Sequence, residues 1–280
     1  MISLRGMRKG WIVLRDERDF KRFTIMQSTM EKITSADLMK LEDEYGAHNY
    51  HPLDVVLKRG EGVHVWDVEG KQYYDFLSAY SAVNQGHCHP KIVAALIDQA
   101  KRLTLTSRAF YNDSLGPYEK FITNYFGYDK VLPMNTGAEA VETAIKLCRK
   151  WAYEKKGLEE NSGQIIVCEN NFHGRTTTIV SFSTDPVAKK NFGPFTSGFI
   201  RIPYDDLEAL ENVLAKNPNV AGFLVEPIQG EAGVFVPRDG YLAGAKRLCE
   251  KHKVLFIADE VQTGVGRTGK LLAVDHEDVH

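Results

Sequence analysis

Consecutive apolar residues form three strand-like runs in the second half of the chain. Residues 165–168, 220–225 and 254–258 are short, rich in Val, Ile, Leu and Phe, and bounded by polar or turn-forming segments. This pattern is typical of buried strands. Two further apolar runs, 131–134 and 179–182, are also predicted to be strands.

Helical periodicity fills the segments between these runs. Five apolar residues recur at the spacing i, i+3, i+4, i+7 and i+11, namely Val141, Ala144, Ile145, Cys148 and Ala152. The spacing places them on one face of a helix, which is predicted to begin after Asn135-Thr136-Gly137 and to end at Gly157. Residues 207–214 and 240–252 are predicted to be helices as well.

The first half of the chain has a different pattern. Residues 63–67 and 73–77 read as two strands around a turn at Glu69-Gly70. A helix is predicted from Pro90 to Leu103, because proline is tolerated in the first turn, and another from Leu115 to Phe126. The later alternation of strands and helices indicates α/β architecture with a mostly parallel central sheet flanked by helices.

Composition removes several classes of protein. The chain has 280 residues, of which 43% are hydrophobic, and its net charge of -2 argues against a disordered chain. The 35 basic and 37 acidic residues predict no nucleic-acid partner, and no apolar stretch is long enough to predict a membrane span. The four scattered cysteines fit reduced thiols, and His87-Cys88-His89 lacks a second ligand pair, so no metal is predicted.

Ligands of parallel α/β sheets bind beyond the carboxyl ends of the strands, so the polar residues there are the candidates for chemistry. Residues 135–140 combine small residues with a helix start, which suits an anion such as phosphate, although an ordinary N-cap by Asn135 or Thr136 explains them too. In the loop 169–176, Phe172 and Arg175 offer a stacking face and a carboxylate clamp, or simply a surface loop.

Carboxylates follow the last two buried strands. Glu226 and Glu231 lie five residues apart and suit acid–base work, with a solvated loop as the alternative. Asp259 ends a buried strand, where a carboxylate is costly unless it has a partner. A cationic ring nitrogen, a metal and an arginine are the three candidate partners.

Two nucleotide-binding motifs occur near the end of the chain. Residues 264–269 match G-x-G-x-x-G, and residues 264–270 match G-x-x-x-x-G-K. Leu271 stands where a P-loop needs Ser or Thr, and residues 270–274 are predicted to be extended, whereas both motifs require a following helix. A P-loop or dinucleotide-binding protein is therefore disfavoured.

Taken together, these loops resemble the class III, fold-type I aminotransferases that depend on pyridoxal 5'-phosphate. The likeness runs from about Tyr45 to the C-terminus, and the stretches NTGAEA, VEPIQGEAG and ADEVQTGVGRTGK are shared across that class. The stretches 45–52 and 78–87, which carry Tyr50 and Tyr80, are similar to the ornithine-using branch of the class.

The resemblance implies a role for each matching residue around the cofactor. Asp259 pairs with the pyridinium nitrogen and keeps the ring protonated, so that the ring accepts electrons from the substrate carbanion. Gln262 hydrogen-bonds the 3-hydroxyl, Phe172 stacks on the ring, and the backbone of Gly137 and Ala138 holds the phosphate.

The resemblance also implies the substrates, L-ornithine and 2-oxoglutarate. Arg175 clamps a carboxylate of the oxo-acid or glutamate, and Tyr50 and Tyr80 direct the δ-amine of ornithine to the cofactor. Glu226 lies near the cofactor, and Glu231 neutralises an arginine that otherwise captures the α-carboxylate. The implied reaction transfers the δ-amino group to 2-oxoglutarate and yields glutamate 5-semialdehyde and glutamate. Another class III ω-aminotransferase, acting on acetylornithine or 4-aminobutyrate, is the alternative.

One residue that the family requires has no counterpart here. The lysine that forms the Schiff base is expected about 25–30 residues after Asp259, beyond His280, and Lys270 lies too early. The 280-residue chain is therefore expected to be inactive alone, as an incomplete form of a true transaminase or as a non-catalytic chain of the same fold.

The expected organisation follows from the same comparison. Residues 1–30 are predicted to be a disordered or upstream extension, 31–80 an N-terminal segment, and 81–280 a large cofactor-binding domain, with the C-terminal small domain absent. A homodimer is expected from the family. The predicted compartment is the cytoplasm, with the mitochondrial matrix as the alternative because residues 1–23 carry seven Lys/Arg and three Asp/Glu.

Overall fold

The computed structural model describes residues 33–279, and the predicted extension over residues 1–30 lies outside them. The chain divides after Leu105 into two compact units. We call residues 33–105 the N-terminal unit and residues 106–279 the C-terminal unit, and each is described by itself. The domain boundary predicted after residue 80 stays a prediction.

The N-terminal unit is built on a small antiparallel sheet. Its strands β1 (Leu57–Glu61), β2 (His64–Asp67) and β3 (Gln72–Tyr74) lie in sequence order. The predicted strand 63–67 is confirmed as β2. The predicted strand 73–77 is confirmed only at its start, because β3 ends at Tyr74, and β1 is an addition. Helix α1 (Ser35–Tyr45) precedes the sheet and α2 (Pro90–Arg102) follows it, as predicted for the second helix.

The C-terminal unit contains a parallel four-stranded sheet, which confirms the predicted α/β fold class. The spatial order is β5-β4-β6-β7, and the strands are β4 (Gln164–Cys168), β5 (Phe199–Ile202), β6 (Val220–Val225) and β7 (Leu255–Ala258). Every residue of β6 is buried. The predicted strands 165–168, 220–225 and 254–258 are thereby confirmed within one residue.

Helices cover both faces of this sheet. They are α3 (Leu115–Phe126), α4 (Gly137–Trp151), α5 (Thr177–Phe182), α6 (Pro186–Lys189), α7 (Leu207–Lys216) and α8 (Tyr241–Lys251). One core cluster joins α4 and α5 to Ile165 and Val167 of β4, and the other joins α7 and α8 to Ile166 and Cys168. This alternation along β4 follows from the two-residue period of a strand.

The helix that begins at Gly137 has the predicted apolar face. Val141, Ile145 and Cys148 are buried, and a π-helical turn, Ala152–Lys156, continues α4 up to Gly157. Cys148 packs so closely on β6 that a Cβ atom at Gly222 would lie 2.5 Å from its sulfur. The second half of α4 therefore packs directly on the sheet.

Three local predictions were wrong. Residues 131–134 form no strand, since Pro133 lacks an N–H donor and Leu132 and Met134 are exposed. Residues 179–182 belong to α5, because the Thr176 hydroxyl caps that helix at the N–H of Ile179. Residues 270–274 are not extended but lead into a 3₁₀ helix, Ala273–Glu277.

Within residues 33–279, no helix combines the length and the apolar composition that a membrane crossing requires. The described part of the chain also holds no group of three or more His, Cys, Asp or Glu side chains arranged for a metal ion.

Candidate active site

Four segments meet at the carboxyl edge of the parallel sheet: the start of α4 and the loops that follow β4, β6 and β7. A Cβ atom at Gly137 would lie 2.9 Å from Val261 Cγ1, and one at Gly174 would lie 2.8 Å from Ala138 Cβ. A Cβ atom at Gly230 would collide with the Gln262 amide. The absence of a side chain at these glycines therefore leaves room for the side chains of Val261, Ala138 and Gln262.

Asp259 follows β7 directly and has two hydrogen-bond donors. His173 Nδ1 donates to Oδ2 over 2.6 Å, and the Val261 N–H donates to Oδ1 over 3.1 Å. The side chains of His173 and Asp259 are 1% and 7% exposed. The sequence offered a ring nitrogen, a metal or an arginine as partners of this carboxylate, and the structure adds a histidine.

Glu226 follows β6 and is also buried. Its Oε2 accepts the N–H of Phe172 over 3.1 Å, and the Tyr204 hydroxyl donates to the carbonyl oxygens of Glu226 and Pro227. Burial raises the pKa of Glu226 from 4.5 to about 7, while the Phe172 N–H acts in the opposite direction. Glu226 can therefore hold or release a proton near neutral pH.

Gln262 and Glu231 form a polar pair at the exposed rim of the same edge. Gln262 Nε2 donates to Glu231 Oε1 over 2.7 Å. The two residues come from the loops after β7 and β6, so the pair joins those loops.

Phe172 and Arg175 lie at the surface of the loop after β4. The Phe172 ring is 38% exposed, and the Arg175 guanidinium lies 5.7 Å from its centroid. Gly174, between them, has φ of +125°, a conformation that L side chains rarely adopt. The loop thus presents an aromatic face and a cation together.

The start of α4 is capped and still retains free donors. The Thr136 hydroxyl accepts the N–H of Glu139, and the Glu139 carboxylate accepts the N–H of Asn135. The ordinary N-cap interpretation is therefore correct for Thr136. The N–H groups of Gly137 and Ala138 belong to the first turn and have no intrahelical acceptor, so the anion interpretation is compatible with the cap and stays a prediction.

Tyr50 and Tyr80 lie in the N-terminal unit, and both are exposed. Tyr80 belongs to a run of four residues with positive φ, Ser78 to Ser81. His87 Nε2 donates to Asp75 Oδ2 over 2.7 Å, and Asp75 also accepts the N–H of Ser78, so this pair closes the loop that carries Tyr80.

His173 and Tyr204 belong to the site but were not predicted from the sequence. His173 stood in the quoted loop, but nothing local marks it as the partner of a residue 86 positions away. The burial of Asp259 was the one signal that a partner had to exist. The glycine motif 264–269 forms turns with no helix directly after it, which agrees with its dismissal as a nucleotide site.

The loops that carry these contacts define the class of protein. Residues 45–280 match the family described as aminotransferase class-III, and the chain belongs to that family.

Individual proteins and solved structures are similar to this chain in sequence and in fold. The mitochondrial ornithine aminotransferase of Rattus norvegicus is 61% identical over 246 residues, which are 88% of this chain and 56% of that protein. The crystal structure of the ornithine aminotransferase from Toxoplasma gondii ME49 has a TM-score of 0.89 at 53% identity, with 91% of this chain and 60% of that chain covered.

A relative with a different stated substrate is also similar. The crystal structure of the acetylornithine aminotransferase from Elizabethkingia anophelis has a TM-score of 0.79 at 69% identity, with 88% of this chain and 60% of that chain covered. The chain spans less than two thirds of the length of each of these three relatives.

Proposed function

We propose that the whole protein is a pyridoxal-phosphate-dependent transaminase that transfers the δ-amino group of L-ornithine to 2-oxoglutarate. The observation that supports this reaction class most directly is the position of Asp259. It is a buried carboxylate at the end of a parallel strand, at the same edge as the start of α4 and the exposed face of Phe172.

The residues at this edge fit the cofactor. Asp259 has lone pairs left for a pyridinium N–H, since two donors occupy only part of its four acceptor positions. The free N–H groups of Gly137 and Ala138 and the positive end of the α4 dipole suit a phosphate. When bound, the cofactor supplies an electron sink for the negative charge that develops on the substrate carbon.

The protein's own residues hold and orient the reacting groups. Asp259 keeps a proton on the ring nitrogen, and Phe172 packs against the ring. Gln262 hydrogen-bonds the ring hydroxyl, in exchange for its contact with Glu231. Glu226 adjusts the local charge, because its pKa of about 7 lets it be neutral or ionised near physiological pH.

Polar residues are proposed to recognise the substrates. Arg175 binds a carboxylate of 2-oxoglutarate or glutamate. Tyr50 and Tyr80 bind ornithine so that its δ-amine reacts, and Glu231 neutralises an arginine that otherwise binds the α-carboxylate. The products are glutamate 5-semialdehyde and glutamate.

A second candidate function is the transamination of acetylornithine. It is favoured by the 69% identity to the acetylornithine aminotransferase from Elizabethkingia anophelis. The tyrosine-bearing stretches 45–52 and 78–87 favour ornithine, because they resemble the ornithine-using branch. We propose in addition a homodimer in the cytoplasm or, as the name of the Rattus norvegicus relative indicates for that protein, in mitochondria.

The test is a comparison of amino donors with the full-length gene product and 2-oxoglutarate. Ornithine should give kcat/KM at least about tenfold above that of acetylornithine and of 4-aminobutyrate, and the semialdehyde should be trapped as a coloured adduct. A preference for acetylornithine would replace the proposed substrate. The absence of glutamate formation with every donor would remove the proposed reaction.

A further inference from the structure

The pair of His173 and Asp259 is more deeply buried than a surface ion pair. The two side chains are 1% and 7% exposed, and Nδ1 of the imidazole lies 2.6 Å from Oδ2 of the carboxylate. The distance is typical of a hydrogen bond in which one partner is charged. A carboxylate buried at this depth needs hydrogen-bond donors, and His173 supplies one of them.

The surroundings of His173 fix its ring. Asn171 Nδ2 donates to the carbonyl oxygen of Cys168 over 2.6 Å and thereby holds the chain just before His173. The Phe182 ring packs against the imidazole at a centroid distance of 6.0 Å. Gly174, next along the chain, fits against Ala138 at the start of α4. The ring therefore has one orientation toward Asp259.

The second ring nitrogen identifies the tautomer. His173 Nε2 is buried and has no hydrogen-bond partner among the described residues. A proton on Nε2 would be a buried donor without an acceptor, whereas a proton on Nδ1 is satisfied by Asp259. The arrangement thus selects the neutral ring that carries its proton on Nδ1.

We infer that His173 is a positioning residue for the cofactor ring and acts through Asp259. By donating from Nδ1, it stabilises the ionised form of Asp259 and fixes the rotation of the carboxylate. The Val261 N–H holds the other oxygen. The remaining lone pairs of Asp259 are then directed to the ring nitrogen of the cofactor. The proton stays on that nitrogen and is not transferred to the carboxylate. This inference rests on the proposed function.

The decisive measurement is the protonation of the ring nitrogen in bound pyridoxamine 5'-phosphate. The compound is labelled with ¹⁵N in the ring, bound to the protein at pH 8, and observed by NMR. The wild type should hold the nitrogen protonated. In His173→Leu the ratio of protonated to neutral nitrogen should fall about tenfold or more, and His173→Asn, which keeps an N–H donor near the Nδ1 position, should restore it.

A purely structural histidine would give a different result. If bound pyridoxamine 5'-phosphate is as fully protonated in His173→Leu as in the wild type, the inference is overturned while the proposed function stands. If the wild-type protein does not bind the compound, both fail.

A measurement on the wild type covers the case in which His173→Leu does not fold. The imidazole ¹⁵N spectrum should show His173 protonated at Nδ1 and bare at Nε2, and the opposite tautomer would refute the inference. Asp259→Asn provides the matching control. If His173 acts through the carboxylate, His173→Leu added to Asp259→Asn should change the affinity for pyridoxamine 5'-phosphate by less than about twofold.

Discussion

Glu226 and Asp259 end two neighbouring strands, and their surroundings give them different properties. Asp259 accepts hydrogen bonds from a histidine and a backbone N–H, whereas the donors to Glu226 are backbone groups. Burial dominates at Glu226 and raises its pKa to about 7. The two carboxylates at one edge of the sheet are thereby held by different kinds of hydrogen-bond donor.

Glu226→Gln should remove a pH dependence of stability. Because the folded-state pKa of about 7 exceeds the ordinary value of 4.5, the folded protein binds this proton more tightly than the unfolded chain. The wild type therefore loses stability as the pH rises from about 4.5 to about 7. The variant should be more stable than the wild type at pH 8, by about 1 to 3 kcal/mol, as measured by urea unfolding.

The control for this prediction is Glu159→Gln, which makes the same chemical change at an exposed position of the C-terminal unit. It should leave the difference in unfolding free energy between pH 5 and pH 8 as in the wild type. A Glu226→Gln variant with the wild-type pH dependence would show that Glu226 is ionised in the folded protein across this range.

At the scale of single elements, the start of α4 is the part of the site in which backbone groups are proposed to bind the cofactor. Gly137→Ala would place a Cβ atom 2.9 Å from Val261 Cγ1, so the Val261 side chain, the helix start or the loop after β7 must shift. Because backbone N–H groups there are proposed to hold the phosphate, the affinity for pyridoxamine 5'-phosphate should fall about tenfold.

Gly116→Ala is a matched control for Gly137→Ala. Gly116 is the second residue of α3, and a Cβ atom there meets nothing within 4 Å. This variant should bind the compound as the wild type does and gain up to about 1 kcal/mol of stability from helix propensity. Equal affinity of Gly137→Ala and the wild type, measured by titration of fluorescence quenching, would contradict the phosphate assignment.

The loop between Asp75 and His87 is a second element whose stabilising contacts can be tested. They are the hydrogen bonds that His87 and the Ser78 N–H donate to Asp75. The Ser78 N–H, and after it His87, lower the pKa of Asp75. Its stabilising effect is therefore present above the ordinary pKa and lost as the pH falls through the lowered value. Asp75→Asn at pH 7 should increase the rate of proteolytic cleavage in this loop about tenfold, equivalent to about 1.4 kcal/mol of local opening.

Asp54→Asn is the control for the Asp75 variant, since it neutralises an exposed aspartate of the same unit. Its cleavage rate should equal that of the wild type at pH 7. Cleavage of Asp75→Asn at the wild-type rate would mean that the backbone of the loop keeps its shape without the contact between Asp75 and His87.

The elements that the sequence predicts well are those with a strong local pattern. Strand β6 is apolar throughout, and α3 begins and ends where its sequence indicates. Both elements have the predicted bounds. Strand β5 was missed because Phe199–Ile202 contains an exposed arginine. Residues 179–182 are β-branched and aromatic like a strand, yet the cap by Thr176 makes them a helix.

In the candidate site, too, the sequence predicts individual residues but not the contacts between residues far apart in the chain. Asp259, Glu226 and the start of α4 are marked by their place after a strand, which a sequence displays directly. The contacts between them are not marked, because His173 meets Asp259 across 86 residues and Gln262 meets Glu231 across 31. Such pairs depend on the strand order β5-β4-β6-β7, which no local pattern specifies.

At the scale of the whole molecule, the parallel sheet explains why segments distant in sequence share one edge. Strands β4, β6 and β7 are adjacent and point the same way, so the loops after Cys168, Val225 and Ala258 lie side by side. The N-terminal unit carries the residues proposed to distinguish amino donors.

The role proposed for Tyr80 predicts that its substitution changes the selectivity between amino donors without removing the reaction. Ornithine carries a charged α-amino group that 4-aminobutyrate lacks, and a phenol hydroxyl can bind such a group. Tyr80→Ile in the full-length protein should lower kcat/KM for ornithine about 10- to 100-fold, and that for 4-aminobutyrate much less. Tyr80→Phe, which loses only the hydroxyl, should show most of the loss for ornithine. Equal losses for both donors in Tyr80→Ile would assign Tyr80 to the general shape of the site and remove the residue-level reason to prefer ornithine over acetylornithine or 4-aminobutyrate.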